Sequence, residues 1–350
     1  TFDYKKELWL HHTNNTLQAL KTVLSKLDNE EAAPLPICVF INSTDIIYSL
    51  MKQLDLLEDS AVFCAPKSVD KLKKNRFCNV YEEWNKDKMK RYNFFTSRFF
   101  NAVDMELEEQ PHVIMLTDVY FAEHTMIDPY TDAIQIVGRF RNGVSSITYI
   151  SNTKKGLPQR SKEEIKGYLI CSKEIYRTMK NFYDCATDRA SRDAYRAALE
   201  SLPFNRMLDR NGRENWFAID NYMDEELMKN YFYDENSLYK AYDNCDSFIV
   251  YHAGYYCPLG DSERLKRENK SQSIKDKRKE IVRQLEMLGD CVTEMELEYK
   301  RDLIAADSFI VEVYDTVGKE VIEKLKYSKK KITEAMIQKQ YSEKATGTEV

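Results

Sequence analysis

Short apolar runs alternate with helix-patterned segments through roughly the first 152 residues, and this alternation limits the fold more than any other feature. The strand candidates cover residues 37–41, 61–64, 92–96, 113–116 and 146–150. Runs that are apolar at successive positions are typical of strands buried on both faces of a parallel sheet. Helical patterns, such as those at 15–27 and 46–54, precede and separate these runs. We therefore predict an α/β domain with a mostly parallel sheet over residues 1–152.

The second part of the chain, residues 153–350, has helical periodicity and few glycine or proline residues to interrupt it. Apart from a short strand-like run at 246–251, it is predicted to form a mainly α-helical accessory domain. Glycine is scarce throughout, with 10 in 350 residues, where average usage of ~7% would give about 25. The P-loop pattern G-x-x-x-x-G-K-[ST] does not occur, so this chain has no phosphate-binding loop of that class.

The charge distribution leaves two interpretations of the helical half open. A formal net charge of −5 argues against a nucleic-acid partner, yet residues 263–283 carry nine Lys or Arg against four acidic residues. Such a run is either a solvated helix face or a track along which phosphates are neutralised. The candidate phosphate contacts in it are Lys275, Lys277 and Arg278.

Targeting signals are absent from the sequence as it stands. No apolar run approaches the ~18–20 residues that span a bilayer, and the start has no signal-peptide pattern. We therefore expect a cytoplasmic protein with no membrane partner. The first residue is Thr1 and not Met, which suggests a fragment of a longer protein or a processed chain.

The clearest chemical pattern is Gln-x-x-Gly-Arg-x-Arg. Gln135 and Arg139 are four residues apart and share one face of a predicted helix, while Arg141 follows at the helix end. Gly138 between them leaves room for another backbone or a ligand to approach. Two arginines at a helix end suit bidentate binding of phosphate oxygens. A solvated, arginine-rich helix face would have the same spacing.

The limits of that helix are predicted from its capping residues. Asp128 is placed as the N-cap, with Pro129 at the first helical position, where its missing N–H costs nothing. Gly143, just past the last periodic residue, is placed as the C-cap.

The Gln135–Arg141 pattern resembles motif VI of the superfamily-two helicases, which lies in their second RecA-like lobe. Two upstream segments resemble further motifs of that family, in the same order. Motif IV is matched by Phe40-Ile41-Asn42-Ser43, and motif V by Phe94-Phe95-Thr96-Ser97 with Asn101-Ala102-Val103-Asp104. The resemblance covers roughly residues 30–152, and it implies a RecA-like helicase C-terminal lobe.

The resemblance implies a nucleotide role for the motif VI residues. Arg139 and Arg141 would act as arginine fingers on the γ-phosphate of ATP bound to another lobe, and Gln135 would hydrogen-bond that phosphate or the attacking water. Gly138 would lie next to the nucleotide, and Asp104 would couple nucleic-acid contact to the nucleotide site. ATP and Mg²⁺ would be bound mainly by an N-terminal RecA-like lobe that is absent from this chain.

The resemblance also implies contacts with single-stranded DNA or RNA. Asn42 and Ser43 would cap a helix whose N-terminus favours a nucleic-acid phosphate. Thr96 and Ser97 would contact the strand backbone. Asn42 and Ser43 as plain caps, and Thr96-Ser97 as an ordinary strand end, are the alternatives.

Three departures from the family pattern accompany the resemblance. Motif V usually has a glycine before its aspartate, where this chain has Ala102-Val103-Asp104, and motif VI usually spaces its arginines by three rather than two. The lobe with the P-loop is missing. We therefore expect the C-terminal part of an ATP-dependent helicase or translocase, inactive by itself. The alternative is a non-enzymatic α/β adaptor whose helical domain binds protein.

Overall fold

The structure, a computed structural model, describes residues 5–30, 34–100, 103–268 and 273–346. Eight strands lie in these ranges: β1 (Lys6–Thr13), β2 (Ile37–Phe40), β3 (Ser60–Phe63), β4 (Val80–Tyr81), β5 (Tyr92–Phe95), β6 (His112–Thr117), β7 (Ser146–Ser151) and β8 (Phe248–Tyr255). All of them belong to one sheet with the order β4-β3-β5-β2-β6-β7-β1-β8, and every neighbouring pair is parallel.

Thirteen α-helices accompany the strands in the described ranges. They are α1 (Thr16–Glu30), α2 (Thr44–Gln53), α3 (Pro66–Lys74), α4 (Asp132–Gly138), α5 (Lys162–Cys185), α6 (Arg189–Ser201), α7 (Trp216–Met228), α8 (Glu235–Asp243), α9 (Asp261–Glu268), α10 (Ile274–Leu288), α11 (Glu294–Ala306), α12 (Ser308–Lys324) and α13 (Lys329–Thr346). The predicted class, an α/β parallel-sheet region followed by a mainly helical one, is confirmed. Within the described ranges, none of the helices is both long and apolar enough to cross a bilayer.

The central strands form because their side chains are buried on both sides of the sheet. Every residue of β2, β3, β5 and β6 is buried, in agreement with their continuous apolar runs. One face packs a cluster that includes Phe40, Phe63 and Phe95, and the other packs Ile37, Val39 and the apolar side of α1 and α2. Because both faces of these strands are packed, the carboxyl ends of the strands have fixed positions along one side of the sheet.

Strand β1 was not predicted from the sequence, although its pattern contains a signal. Leu8 and Leu10 are fully buried, whereas Trp9 between them is 45% exposed, as in a strand covered on one face. β1 pairs with β7 on one side and with β8 on the other. Because β8 comes from the second half of the chain, the sheet extends across the boundary predicted at residue 152. The division into two domains stays a prediction.

A buried ion network joins the start of α9 to the sheet. Arg264 donates to Asp118, which follows β6, at 3.0 Å, and to Asp261 at 2.7 Å. Asn152, just after β7, donates to both carboxylates at 2.8 Å, and the Thr16 backbone N–H donates to Asp261 at 2.9 Å. Burial, together with the nearby Asp261 carboxylate, raises the pKa of Asp118 to about 6. The stability of this network therefore depends on the Arg264 guanidinium, which lies between the Asp118 and Asp261 carboxylates.

Candidate nucleic-acid interface

Two neighbouring strand ends bring the motif IV and motif V residues together. β2 and β5 are adjacent and in register, with Phe40 opposite Phe95. The segments that leave these strands are therefore side by side at the carboxyl edge of the sheet. Asn42, Ser43, Thr96 and Ser97 all line one cavity of about 310 Å³, named here the Asn42 cavity.

Two helix N-termini border the Asn42 cavity. Ser43 is the N-cap of α2, and its Oγ accepts from the Ile46 N–H at 3.4 Å. Ala65 is the N-cap of α3, whose first position is Pro66, and both Ala65 and Ser68 line the cavity. The first N–H groups of a helix have no acceptor within the helix and carry partial positive charge. This arrangement favours an anion in the cavity.

The predicted capping role is correct for Ser43 but wrong for Asn42. The Asn42 amide donates instead to the backbone carbonyl of His124 at 3.0 Å, because the loop after β6 passes beside it. Thr96 is largely buried, and its hydroxyl donates to the Phe63 carbonyl at 3.5 Å. The Asn42 amide thus joins the loop after β6 to the cavity wall, whereas the Thr96 hydroxyl joins the end of β5 to β3.

Further lining residues were not found by sequence reasoning. Arg98 and His124 contribute to the cavity wall, and Arg98 directly follows the Thr96-Ser97 pair, so its position in the sequence was a usable signal. Asp45 also lines the cavity, and its carboxylate accepts from Lys71 Nζ at 2.7 Å. The cavity thus offers the Ser68 and Ser97 hydroxyls and the Arg98 guanidinium as donors to phosphate oxygens, and its acidic side chain, Asp45, is paired with Lys71.

The two motif VI arginines converge on one carboxylate. Arg139 Nη1 is 3.3 Å from Asp104 Oδ1, and Arg141 Nη2 is 2.6 Å from Asp104 Oδ2. The chain segments are joined by backbone hydrogen bonds, from Met105 N to the Arg139 carbonyl at 2.8 Å and from Arg141 N to the Met105 carbonyl at 3.2 Å. Gln135 holds Arg139 further, because its backbone carbonyl accepts from Arg139 Nε at 3.1 Å.

The arginine pair remains open to solvent. The Arg139 side chain is 22% exposed and that of Arg141 is 53% exposed. Gly138 beside them faces solvent, and a Cβ added there would meet no atom within 4 Å. Two guanidiniums thus lie side by side on the Asp104 carboxylate, and guanidiniums suit phosphate oxygens as well as carboxylate oxygens.

The predicted limits of the motif VI helix are wrong at both ends. α4 begins at Asp132, not near Pro129, because Asp128 forms a turn in which its side chain accepts from the N–H groups of Tyr130 and Thr131 at 2.7 and 2.9 Å.

The helix ends at Gly138, so Gly143 is not its cap. Gly143 has a φ of 88° in the following turn, a conformation that favours glycine.

The basic run of the helical half is partly neutralised inside the protein. Arg278, which the sequence assigned to nucleic acid, is 9% exposed, donates to Asp307 Oδ2 at 2.8 Å and lies over the Phe309 ring. Arg264, from the same run, belongs to the buried ion network. Lys275 is exposed and Lys277 half-buried, so their contacts with phosphate stay predictions.

Metal binding has no candidate residues in the part of the chain that the structure describes. No group of three or more His, Cys, Asp or Glu side chains in these ranges is arranged to hold a metal ion. The sequence has no P-loop, and the binding of ATP and Mg²⁺ stays a prediction.

Comparison with known proteins gives one structural match. No protein-family model matches the chain, and neither does any curated protein. Among solved structures, the C-terminal domain of the DEAD-box protein Dbp5 matches with 13% identity and a TM-score of 0.27. The match covers 49% of this chain and 86% of that one.

Proposed function

We propose that this chain is the C-terminal part of an ATP-dependent nucleic-acid helicase or translocase. In this account it holds a single strand of DNA or RNA at the Asn42 cavity. It supplies Arg139 and Arg141 to ATP and Mg²⁺ that are bound mainly by another, P-loop-bearing lobe. The helical region following residue 152 is an accessory part of the same machine.

The observation that carries the proposal is one cavity shared by two pairs of residues, 42–43 and 96–97, that are far apart in the sequence. Asn42 and Ser43 were assigned to the nucleic-acid backbone on the motif IV resemblance, and Thr96 and Ser97 on the motif V resemblance. In the fold they line one cavity together with two helix N-termini. A phosphate there would meet backbone N–H groups, hydroxyls and the Arg98 guanidinium, without needing a base-specific contact.

The arginine pair supports the second half of the proposal. Asp104 holds Arg139 and Arg141 side by side while leaving both partly exposed. Arginine is suited to this role because its planar fork contacts two oxygens of one phosphate. Arg139 and Arg141 would contact the γ-phosphate of ATP bound on a facing lobe in the way that they contact the Asp104 carboxylate here.

The proposal is tested by the salt dependence of single-strand binding. Because Arg98 lines the Asn42 cavity, we expect Arg98→Gln to remove about one phosphate contact. The slope of log affinity against log salt should become shallower by about 0.7 for a single strand. The measurement is fluorescence anisotropy of a labelled oligonucleotide at several salt concentrations.

The matched control for this test is Arg189→Gln. It removes the same charge from α6, where the Arg189 side chain is 96% exposed and lies 3.7 Å from Asp193. The control should leave both affinity and slope close to those of the original chain. Absence of single-strand binding at low salt, or an equal loss in both variants, would contradict the proposal and favour the adaptor.

A further inference from the structure

A second cavity lies at the same edge of the sheet, beyond the motif residues. Its volume is about 620 Å³, within the range of small-ligand pockets. We name it the His12 cavity. Three of its lining residues come from the carboxyl ends of neighbouring strands: His12 from β1, Thr153 after β7 and Tyr256 after β8. The start of α8 closes it with Glu235.

Five polar side chains of the His12 cavity form one continuous chain of contacts. His12 Nε2 is 2.9 Å from Thr153 Oγ1, and His12 Nδ1 is 3.1 Å from the Tyr256 hydroxyl. That hydroxyl donates to Glu235, whose other carboxylate oxygen is 3.1 Å from His252 Nε2. Four separate segments of the chain therefore converge on one set of donors and acceptors.

The charges of the cavity disfavour an anionic ligand. Asp234 and Glu235 contribute two carboxylates against the single ammonium of Lys155. Burial lowers the pKa of His12 below its usual range, which leaves that ring neutral near pH 7. A phosphate would be repelled by this lining, and a purely apolar ligand would leave the hydrogen-bonding groups without water.

The walls fit a flat, polar, uncharged ring. The rings of Tyr239 and His252 lie 5.3 Å apart at 35°, and those of His12 and Tyr256 lie 5.8 Å apart at 59°. They present aromatic surface on which a base can stack. Both ring nitrogens of His12 are taken up by Thr153 and Tyr256, but the lining also includes the Asn236 amide, which carries donors and an acceptor, and the Glu235 carboxylate, which adds acceptors. This set matches the mixed donor and acceptor edge of a nucleobase.

The position of the cavity suggests where such a ring comes from. In the sheet, β2 and β1 are separated by β6 and β7, so three inter-strand steps divide the two cavities, or about 14 Å at ~4.8 Å each. A strand held by its phosphates at the Asn42 cavity can continue along this edge. We propose that the His12 cavity binds an unpaired nucleobase of that strand, an inference that rests on the proposed function for the strand itself.

Stacking on Tyr256 is tested with two probes that differ only in their bases. The first is a single-stranded oligonucleotide of about twelve nucleotides, and the second is a fully abasic strand of the same length. Tyr256 is 56% exposed, so its replacement should leave the fold intact, which circular dichroism would check. We expect Tyr256→Ala to lower the affinity for the base-containing strand by roughly 5- to 100-fold and the affinity for the abasic strand by less than about twofold.

Two control variants make the test specific. Tyr256→Phe keeps the ring and should retain most of the affinity, whereas Tyr251→Ala removes a tyrosine from the opposite face of β8 and should change nothing. An equal effect of Tyr256→Ala on both strands, or no effect on either, would overturn the base pocket alone. Arg98→Gln should lower the affinity for both strands equally. If it does not, the result counts against the proposed function and not against the base pocket. If neither strand binds, both are overturned.

Discussion

Replacing Arg139 by Ala is expected to lower the ATP turnover number by about 10³- to 10⁵-fold, the range found for arginine fingers in phosphoryl transfer. The measurement uses this chain together with the P-loop lobe that the proposed function requires. The physical reason is that charge develops on the transferred phosphoryl group, and a fixed guanidinium stabilises it. Single-strand affinity should change little, since Arg139 does not line the Asn42 cavity.

The arginine-finger prediction has a matched control on α5. Arg177 is exposed and pairs with Glu174 at 2.9 Å within the same helix, so Arg177→Ala removes an equal charge far from the motifs. Its turnover should equal that of the unaltered protein. Arg139→Lys should remain strongly impaired, because an ammonium cannot contact two phosphate oxygens in the same way. Unchanged turnover in Arg139→Ala would exclude Arg139 as a finger.

Replacing Arg264 by Met is expected to lower the free energy of unfolding by about 3–5 kcal/mol at pH 7. Arg264→Met leaves Asp118 and Asp261 without the guanidinium that neutralises them, and both carboxylates are fully buried. Urea unfolding followed by circular dichroism measures the effect. The control is Arg283→Met, because Arg283 pairs with Glu280 near the surface and should contribute no more than about 1 kcal/mol.

The decrease in the free energy of unfolding that Arg264→Met causes should become smaller as the pH falls. The pKa of Asp118 is already raised to about 6 by burial and by Asp261, and the favourable guanidinium opposes that rise. Without Arg264 the folded state would take up a proton at still higher pH, while the unfolded chain would take it up only near pH 4. Unfolding at pH 5 should therefore show a smaller difference from the original chain than at pH 7. Equal losses at both values would contradict this account of the network.

The sheet was largely predictable because burial leaves a direct mark on sequence. β2 and β6 are apolar at nearly every position, so their existence followed from the runs alone. β1 was missed because only alternate residues such as Leu8 and Leu10 are buried. The grouping of Asn42 with Thr96 was implied only by the helicase resemblance, and strand order, which pairs β2 with β5, is what brings them together.

Side-chain partners were much less predictable than strands. Arg278 was assigned to nucleic acid, yet the packing of α10 places it on Asp307, 29 residues later in the sequence. The pairing of Arg139 with Asp104 depends on the backbone bridge at Met105, which no local pattern reveals. The His12 cavity combines four distant segments and was not recognised, since its histidines have no ligand spacing.

The central claim is that a nucleic-acid strand binds at the Asn42 cavity, and amide hydrogen exchange tests it most directly. The first N–H groups of α2, at Thr44 and Asp45, have no acceptor within the helix and should exchange quickly in the free chain. With a saturating single-stranded oligonucleotide, we predict slower exchange at residues 43–46 and 96–98. Protection confined to the basic run around Lys275, with residues 43–46 unchanged, would contradict the account.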